Sequence, residues 1–514
     1  MKPTELTAGQ TKNKSPNLTG GQKSPKLTDG ASQAKPTQAR LTKSKKIDVD
    51  FDGGNLTSDA GALLLQQVDR IIKLIERINQ IIHDPRDPIY ITHQQAHLIA
   101  QRIFAIALGY EDVNDHKTLR KDPALLAAIK NHLDESQALG SSSTLSRLEN
   151  RITDEELAAL SKLFVELFIE SFDTPPEQII IDVDSTDDTI HGKQEGCHFN
   201  GFYDSYCFLP LYFFCGDQLL WAQLRSCNRS GAHGTRAIFH YLVTRIKKAW
   251  PNVEIVLRAD AGFCGPKLLK YCDKNGCKYA IGIASNDVLK RLSTGIVDAA
   301  EMFFVDAGFN AQRNTAAHAK VPQEALQLFW EFEYQAGTWD RARRIVVKAE
   351  RLPDEKDFRG KANTRYVVTN LTGTPKELYK DDYCARGEME NRIKEQQRMM
   401  FADRTSCHEF LANRFRLFLS SSAYVLMETL RRTALRGTEL EQAQCDTIRL
   451  KLFKIAGIVR ESVRRIVFSL SSVCPFRKLW RQVFDRLRMA SPSKPVAYLM
   501  GIDRLRVAGR VPSD

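Results

Sequence analysis

Three acidic residues in this chain occupy positions that suit metal-bound carboxylates. Asp184 closes the apolar run Ile179-Ile180-Ile181-Asp182-Val183, and Asp260 closes Ile255-Val256-Leu257-Arg258-Ala259. Glu390 follows Tyr383-Cys384-Ala385-Arg386 on a stretch with helical spacing. Two strand-borne aspartates and a helix-borne glutamate are what a fold needs to hold two divalent metals against a phosphodiester. Hard oxygen donors of this kind suit Mg²⁺, with Mn²⁺ as an alternative, rather than zinc.

Other readings of the same residues stand beside this one. The run Asp182-Val183-Asp184-Ser185-Thr186-Asp187-Asp188 resembles a calcium loop only superficially, because its sixth position is Asp187 where a calcium hand needs glycine. It also fits an Asp-x-Asp nucleotide-sugar site or a simple turn. Around Glu390, Tyr383, Arg386, Lys394 and Gln397 fall within roughly an 80° stripe at 100° per residue. Arg386 and Lys394, four residues before and after, favour an ionised Glu390 and offer cations to phosphate oxygens. An i,i+4 ion-pair ladder on a solvated helix gives the same pattern. His191, Cys197 and His198 fit no tetrahedral zinc spacing and read as turn or core residues.

The acids must be carried by a definite set of elements. From Ser58 to about Phe172 the apolar spacing is helical, with a start signal at Thr57-Ser58-Asp59, Asp122-Pro123 opening a second helix and Thr153-Asp154-Glu155-Glu156 capping a third. Gly140–Arg147 reads as a loop and cap, or as a helix start able to seat a phosphate. Strands are expected at 177–184, 206–215, 219–225, 253–260 and 278–283, with helices at 232–250 and 266–274. The tight Gly216-Asp217 link favours antiparallel pairing early; the helical crossovers favour parallel pairing later. Residues 286–375 are less regular, with strand-like pieces at 329–335, 344–349 and 366–370. From Lys376 to about Arg488 the chain reads as helical. The fold class is therefore α/β: a mixed sheet with flanking helices and helical regions at either end.

These residues resemble the DDE transposases of bacterial insertion sequences. The matching blocks are Asp184-Ser185-Thr186, Asp260-Ala261-Gly262-Phe263 and Tyr383-x-x-Arg386-x-x-x-Glu390. The pattern's terminal lysine is Gln397 here, and Lys394 lies one turn earlier on the same stripe. His191–Gly196, Phe199–Phe202, Leu209–Tyr212, Phe401–Thr405 and Thr447–Leu452 resemble the insertion-sequence family thirteen-eighty more narrowly, over roughly residues 47–490. The resemblance implies an RNase H-like catalytic core with Asp184, Asp260 and Glu390 as the metal-binding catalytic triad. It also implies two-metal phosphoryl transfer, and a β-rich insertion before the Glu390 helix. Double-stranded DNA (the element's terminal inverted repeats and the target) would be the partner, a homodimer the synaptic form, and the bacterial cytoplasm or nucleoid the location. A catalytically inactive DNA-binding derivative and a metal-dependent nuclease are the alternatives.

Composition agrees with that setting. The 514 residues are 43% hydrophobic and carry a formal net charge of +12. Ten Lys/Arg against two acids in residues 1–47, and fifteen against five in residues 445–514, leave a mildly acidic middle. Basic ends of this kind form an electrostatic footprint for a polyanion. The expected organisation is a disordered basic tail (1–46), a helical domain suited to DNA-end binding (47–175), the catalytic core in two parts (176–285 and 376–444) separated by the insertion (286–375), and a basic helical C-terminal region (445–514). Tyr383, Arg386, Lys394, Arg449, Lys451 and Lys454 are the expected DNA contacts. Trp330 and Trp339 are read as core residues or as platforms for an extruded base. The 11 cysteines contain no C-x-x-C pair, which argues for a reducing compartment, and no apolar run is long enough to cross a membrane.

Overall fold

The computed structural model describes residues 37–39, 47–133, 138–313, 324–354 and 356–492. Two compact units are present, residues 1–54 and 55–514. Of the expected tail, Thr37–Ala39 is described and pairs antiparallel with Ile47–Val49; the rest of 1–46 lies outside the described residues.

The larger unit is built on a nine-stranded mixed sheet. From one edge its order is Leu326–Tyr334, Arg343–Leu352, Arg365–Thr369, Lys278–Ile283, Glu254–Ala259, Gln178–Ser185, Leu211–Cys215 and Gln218–Gln223, with Lys361–Ala362 paired to the second strand. Gln178–Ser185 is central because its isoleucine run is apolar on both faces. Ile179, Ile181 and Val183 pack with Phe168, Phe239, Leu242 and Leu269 from helices on one side. On the other side Tyr212 and Phe214 join the core formed with the long helix Phe410–Leu430. Glu254–Ala259 runs parallel to both Gln178–Ser185 and Lys278–Ile283. The helices Thr235–Ala249 and Pro266–Lys274 form the crossovers, as parallel pairing requires.

Three expectations need correction. The single strand at 206–215 is two, Ser205–Phe208 and Leu211–Cys215, because Pro210 has no N–H to continue a ladder. The insertion is not purely β: Asp287–Leu292 and Thr294–Arg313 are helices. Its strands extend the central sheet, since Arg365–Thr369 pairs antiparallel with Lys278–Ile283. The C-terminal region is not all helical. Gly457–Ser462 and Arg465–Leu470 form a hairpin joined at Val463-Arg464, and Leu56–Thr57 adds a third strand. The β-branched residues Ile458, Val459, Ile466 and Val467 favour this pleated pairing.

The N-terminal helices form largely as their signals indicate. Asp122 caps Pro123–Lys130 and Thr153 makes a reciprocal capping box with Glu156. The first helix begins at Ala62, three residues beyond Asp59. The helices between Ala62 and Glu170 share a core with Phe410–Leu430 and with Leu452, Phe453, Val483 and Leu487. Among the described residues no helix is long and apolar enough to cross a membrane.

Candidate active site

Sheet register brings the two aspartates together. Arg258 lies opposite Asp182, and Ala259 opposite Val183. One step further along these parallel strands places Asp260 beside Asp184, at neighbouring strand ends about 4.8 Å apart by sheet spacing. Alternation sets Asp182 and Asp184 on the face away from Ile181 and Val183.

The two acids on that face have different work. Asp182 is buried and accepts two hydrogen bonds from Arg258, at 2.7 Å each. Arg258 also donates to the Asp382 carbonyl at 2.8 Å, which pins the next helical segment to the strand. Asp182 is thus held within the sheet by Arg258. Asp184 Oδ1 accepts from the Ser185 amide at 2.8 Å, and Oδ2 accepts from Arg386 Nη1 at 2.9 Å. Burial pushes the Asp184 carboxyl up to about 6; Arg386 opposes the shift and the Asp260 charge adds to it. Asp260 caps the short turn Ala261–Phe263 by accepting from the Gly262 amide at 2.9 Å.

Glu390 rides on an unbroken helical segment of changing pitch. Residues Leu378–Tyr383 are π-helical, Cys384–Arg386 are 3₁₀, Gly387–Lys394 are α-helical and Glu395–Met399 are π-helical again. Such π segments recur at functional sites because they re-aim side chains. Arg386 Nη2 lies 3.8 Å from Glu390 Oε1, so one guanidinium spans Asp184 and Glu390. Lys394 is exposed one turn on. Gln397 donates from Nε2 to the Asp187 carbonyl at 2.9 Å and to Thr186 Oγ1 at 3.4 Å. It therefore ties this helix to the chain leaving Asp184, a role that its mismatch with the lysine pattern did not reveal.

Tyr383 reaches past Gly282, where a Cβ would stand 2.6 Å from the phenolic oxygen. With Asp260, Gly282, Lys348, Tyr366 and Arg386 it lines a cleft of about 590 Å³. Burial raises the Tyr383 phenol; Arg386 opposes that shift and Asp260 adds to it.

Among the described residues no three His, Cys, Asp or Glu side chains already converge as a metal cage. The donor chemistry nonetheless fits a hard divalent cation. Asp184, Asp260 and Glu390 outnumber the one arginine between them, and burial leaves the Asp184 charge poorly solvated.

The other expected contacts lie elsewhere. Arg449 Nε donates to the Ala107 carbonyl at 2.9 Å and its Nη2 to the Met399 carbonyl. Lys454 pairs with Asp59 at 2.6 Å and sits 4.1 Å from the Tyr110 ring centre. Lys451 lies over the Phe476 ring at 5.1 Å. All three are engaged within the chain. Trp339 is buried, whereas Trp330 is exposed.

Two aspartates at neighbouring strand ends of a mixed α/β sheet, with Arg386 between Asp184 and Glu390 and a cleft beside Asp260, are thus the central feature of this chain. Residues 39–492 match the family model described as Transposase DDE domain group 1, and the chain belongs to that family. It is also similar to the piggyBac transposase, solved by cryo-EM as a synaptic complex with hairpin DNA. Identity is 12%, coverage 89% of this chain and 87% of that one, and the TM-score 0.36. No curated protein matches the chain.

Proposed function

We propose that this protein is a DNA transposase of the insertion-sequence family thirteen-eighty, cutting the ends of its element and joining the freed 3′ ends to target DNA. The observation that carries the reading is the arrangement of Asp184 and Asp260 at neighbouring parallel strand ends, with Glu390 linked to Asp184 through Arg386. An RNase H-like core is supported by the sheet. Its central strand is flanked on one side by the antiparallel strands 211–215 and 218–223, and on the other by the parallel strands 254–259 and 278–283.

Asp184, Asp260 and Glu390 would hold the divalent ions, Mg²⁺ or Mn²⁺. When bound, these would activate the attacking oxygen and stabilise the leaving one. Arg386 keeps the strand-end and helix acids in one site and offers a bidentate donor to a phosphate. Tyr383, wedged against Gly282, forms one wall of the cleft and would border the scissile strand there. Lys394 supplies a second cation from the exposed side. For phosphates outside the cleft we assign the exposed Arg460, Arg464 and Arg465 of the C-terminal hairpin rather than Arg449, whose guanidinium is committed to two carbonyls. Pairing of two element ends calls for a homodimer, working in the bacterial cytoplasm or nucleoid.

The test is metal-dependent nicking of duplexes that carry the element's ends. Wild type should nick with Mg²⁺ or Mn²⁺ and not with EDTA. Glu390→Gln should lose nicking by at least about 10³-fold while keeping DNA affinity. A fully active Glu390→Gln protein removes the assignment, and a wild type that binds ends but never nicks identifies an inactive DNA-binding derivative.

A further inference from the structure

Beside the carboxylates lies a small sheet whose outer face is aromatic: it is buried under Phe410 at Phe208 and exposed at Phe199 and Tyr206. Its strands are Asp188–Thr189, Ser205–Phe208 and His198–Asn200, in that order from the catalytic side. The chain reaches it directly from the site, for Asp188 stands only four residues beyond Asp184. Thr186 N–H bonds the Pro210 carbonyl at 3.2 Å and Ile190 N–H bonds the Tyr206 carbonyl at 2.8 Å, so the sheet is fixed to the strand end that carries Asp184.

The two faces of this sheet differ. Inward, Cys207 is buried with Leu209, Cys227 and Tyr203. Outward, Phe199 and Tyr206 stand opposite one another in register, with ring centres 5.6 Å apart. At the turn Phe202 is 88% exposed and meets Tyr203 edge-on at 4.9 Å. Three large rings in water next to an acidic site make an unusual surface, since exposed apolar side chains of this size normally scatter singly. Tyr203 is near enough to the acids that the charges of Asp187, Asp184 and Asp260 help burial to raise its phenol.

A cationic loop is bound to the same sheet. Cys227 Sγ donates to the His198 carbonyl at 2.9 Å, and Asn200 Nδ2 donates to the Cys227 carbonyl at 3.2 Å. Two residues on, the exposed Arg229 lies 2.9 Å from His233 Nε2.

We propose that Phe199, Phe202 and Tyr206 form a stacking site for unpaired nucleobases of the DNA strand whose phosphate lies at Asp184 and Asp260. The proposal rests on the transposase reading. A partner there must present phosphate to the cleft and flat apolar faces to the rings, and a DNA strand with opened bases does both. Every base has a π-face, so the site is tolerant of sequence. Arg229 supplies a cation for the intervening backbone.

The test compares two duplexes of one sequence, one fully paired and one with three mismatched positions that include 2-aminopurine. Wild type should bind the mismatched duplex at least about fivefold more tightly and quench the 2-aminopurine. The triple variant Phe199→Ala/Phe202→Ala/Tyr206→Ala should lose both effects while its affinity for the paired duplex stays within about twofold. Phe202→Leu, which keeps an apolar side chain without a ring, should fold as wild type and reduce the quench. Equal binding of the two duplexes by wild type overturns the stacking site, as does a triple variant that keeps the preference. A triple variant that converts a dimer to a monomer by light scattering also overturns it, assigning the face to a second copy of the chain. Wild-type nicking of paired ends is measured alongside: its absence removes the transposase reading, whereas nicking without a mismatch preference removes the stacking site alone.

Discussion

Arg386 is the residue through which two of the three acids meet, since it bonds Asp184 and faces Glu390 with one guanidinium. Its neighbour in function, Arg258, shows why Asp182 and Asp184 are not interchangeable. Asp182 accepts two hydrogen bonds from that arginine in the sheet, whereas Asp184, among the described residues, accepts one side-chain bond, from Arg386. A third acid of the same run has a different fate. Asp188 is buried, accepts from Thr405 Oγ1 at 2.8 Å, and has no partner for its other oxygen among the described residues. Burial pushes its carboxyl up to about 8, with Asp403 and Asp187 adding to the shift. A folded-state value above the unfolded one means that the folded protein holds the proton more tightly. The stability this contributes is full below about pH 4 and is lost as pH rises toward about 8. Asp188→Asn should therefore gain on wild type between pH 5 and 8, by roughly a few kcal/mol, and flatten that part of the profile. Urea melts at the two pH values measure it; parallel profiles would reassign the group.

At the scale of elements, the Glu390 helix is anchored at both ends by side-chain hydrogen bonds. Arg258 takes the Asp382 carbonyl near its start, and Gln397 reaches Asp187 and Thr186 near its end. Between them the helix changes pitch three times. An 80° stripe read at constant pitch still put Arg386, Glu390 and Gln397 on one side, because a few residues of altered winding rotate the stripe without turning it away. Gln397→Ala should keep DNA affinity and lower the single-turnover nicking rate by about tenfold, the usual cost of small misplacement at a reacting centre. Burst kinetics separate the two; a loss confined to affinity would make Gln397 a DNA contact instead. The C-terminal hairpin was the element least legible beforehand. Its residues, Gly457–Leu470, are short and basic, and their partner strand Leu56–Thr57 lies about 400 positions away in the chain.

At the scale of the molecule, the chain's late residues complete its early helices. Arg449 donates to carbonyls at the C-terminal ends of two helical segments, Gln95–Leu108 and the one carrying Glu390. Helix ends leave carbonyls unpaired and carry partial negative charge, so a cation there satisfies both. Gly109 is needed beside it, because its φ is +96° and a Cβ would come within 2.9 Å of the Arg449 side chain. Arg449→Ala should destabilise the protein by roughly 2–4 kcal/mol, seen as a lowered Tm with the nicking rate falling in proportion to the folded fraction. An unchanged Tm together with weakened DNA binding would restore Arg449 as a DNA contact.

The sequence by itself determined the three acids, the strands that carry Asp184 and Asp260, and the helix that carries Glu390. Those are written in local patterns: an apolar run ending in a carboxylate, or cations spaced by one helical turn. Only the tertiary structure decided which acids share a site and which are consumed in the sheet. Parallel register set Asp260 beside Asp184 and matched Arg258 to Asp182, and register is a relation between strands that neither strand contains alone. The same reason turned Arg449 from an expected DNA contact into an internal clamp: its charge is visible in sequence, but the helix ends it serves are brought to it only by folding.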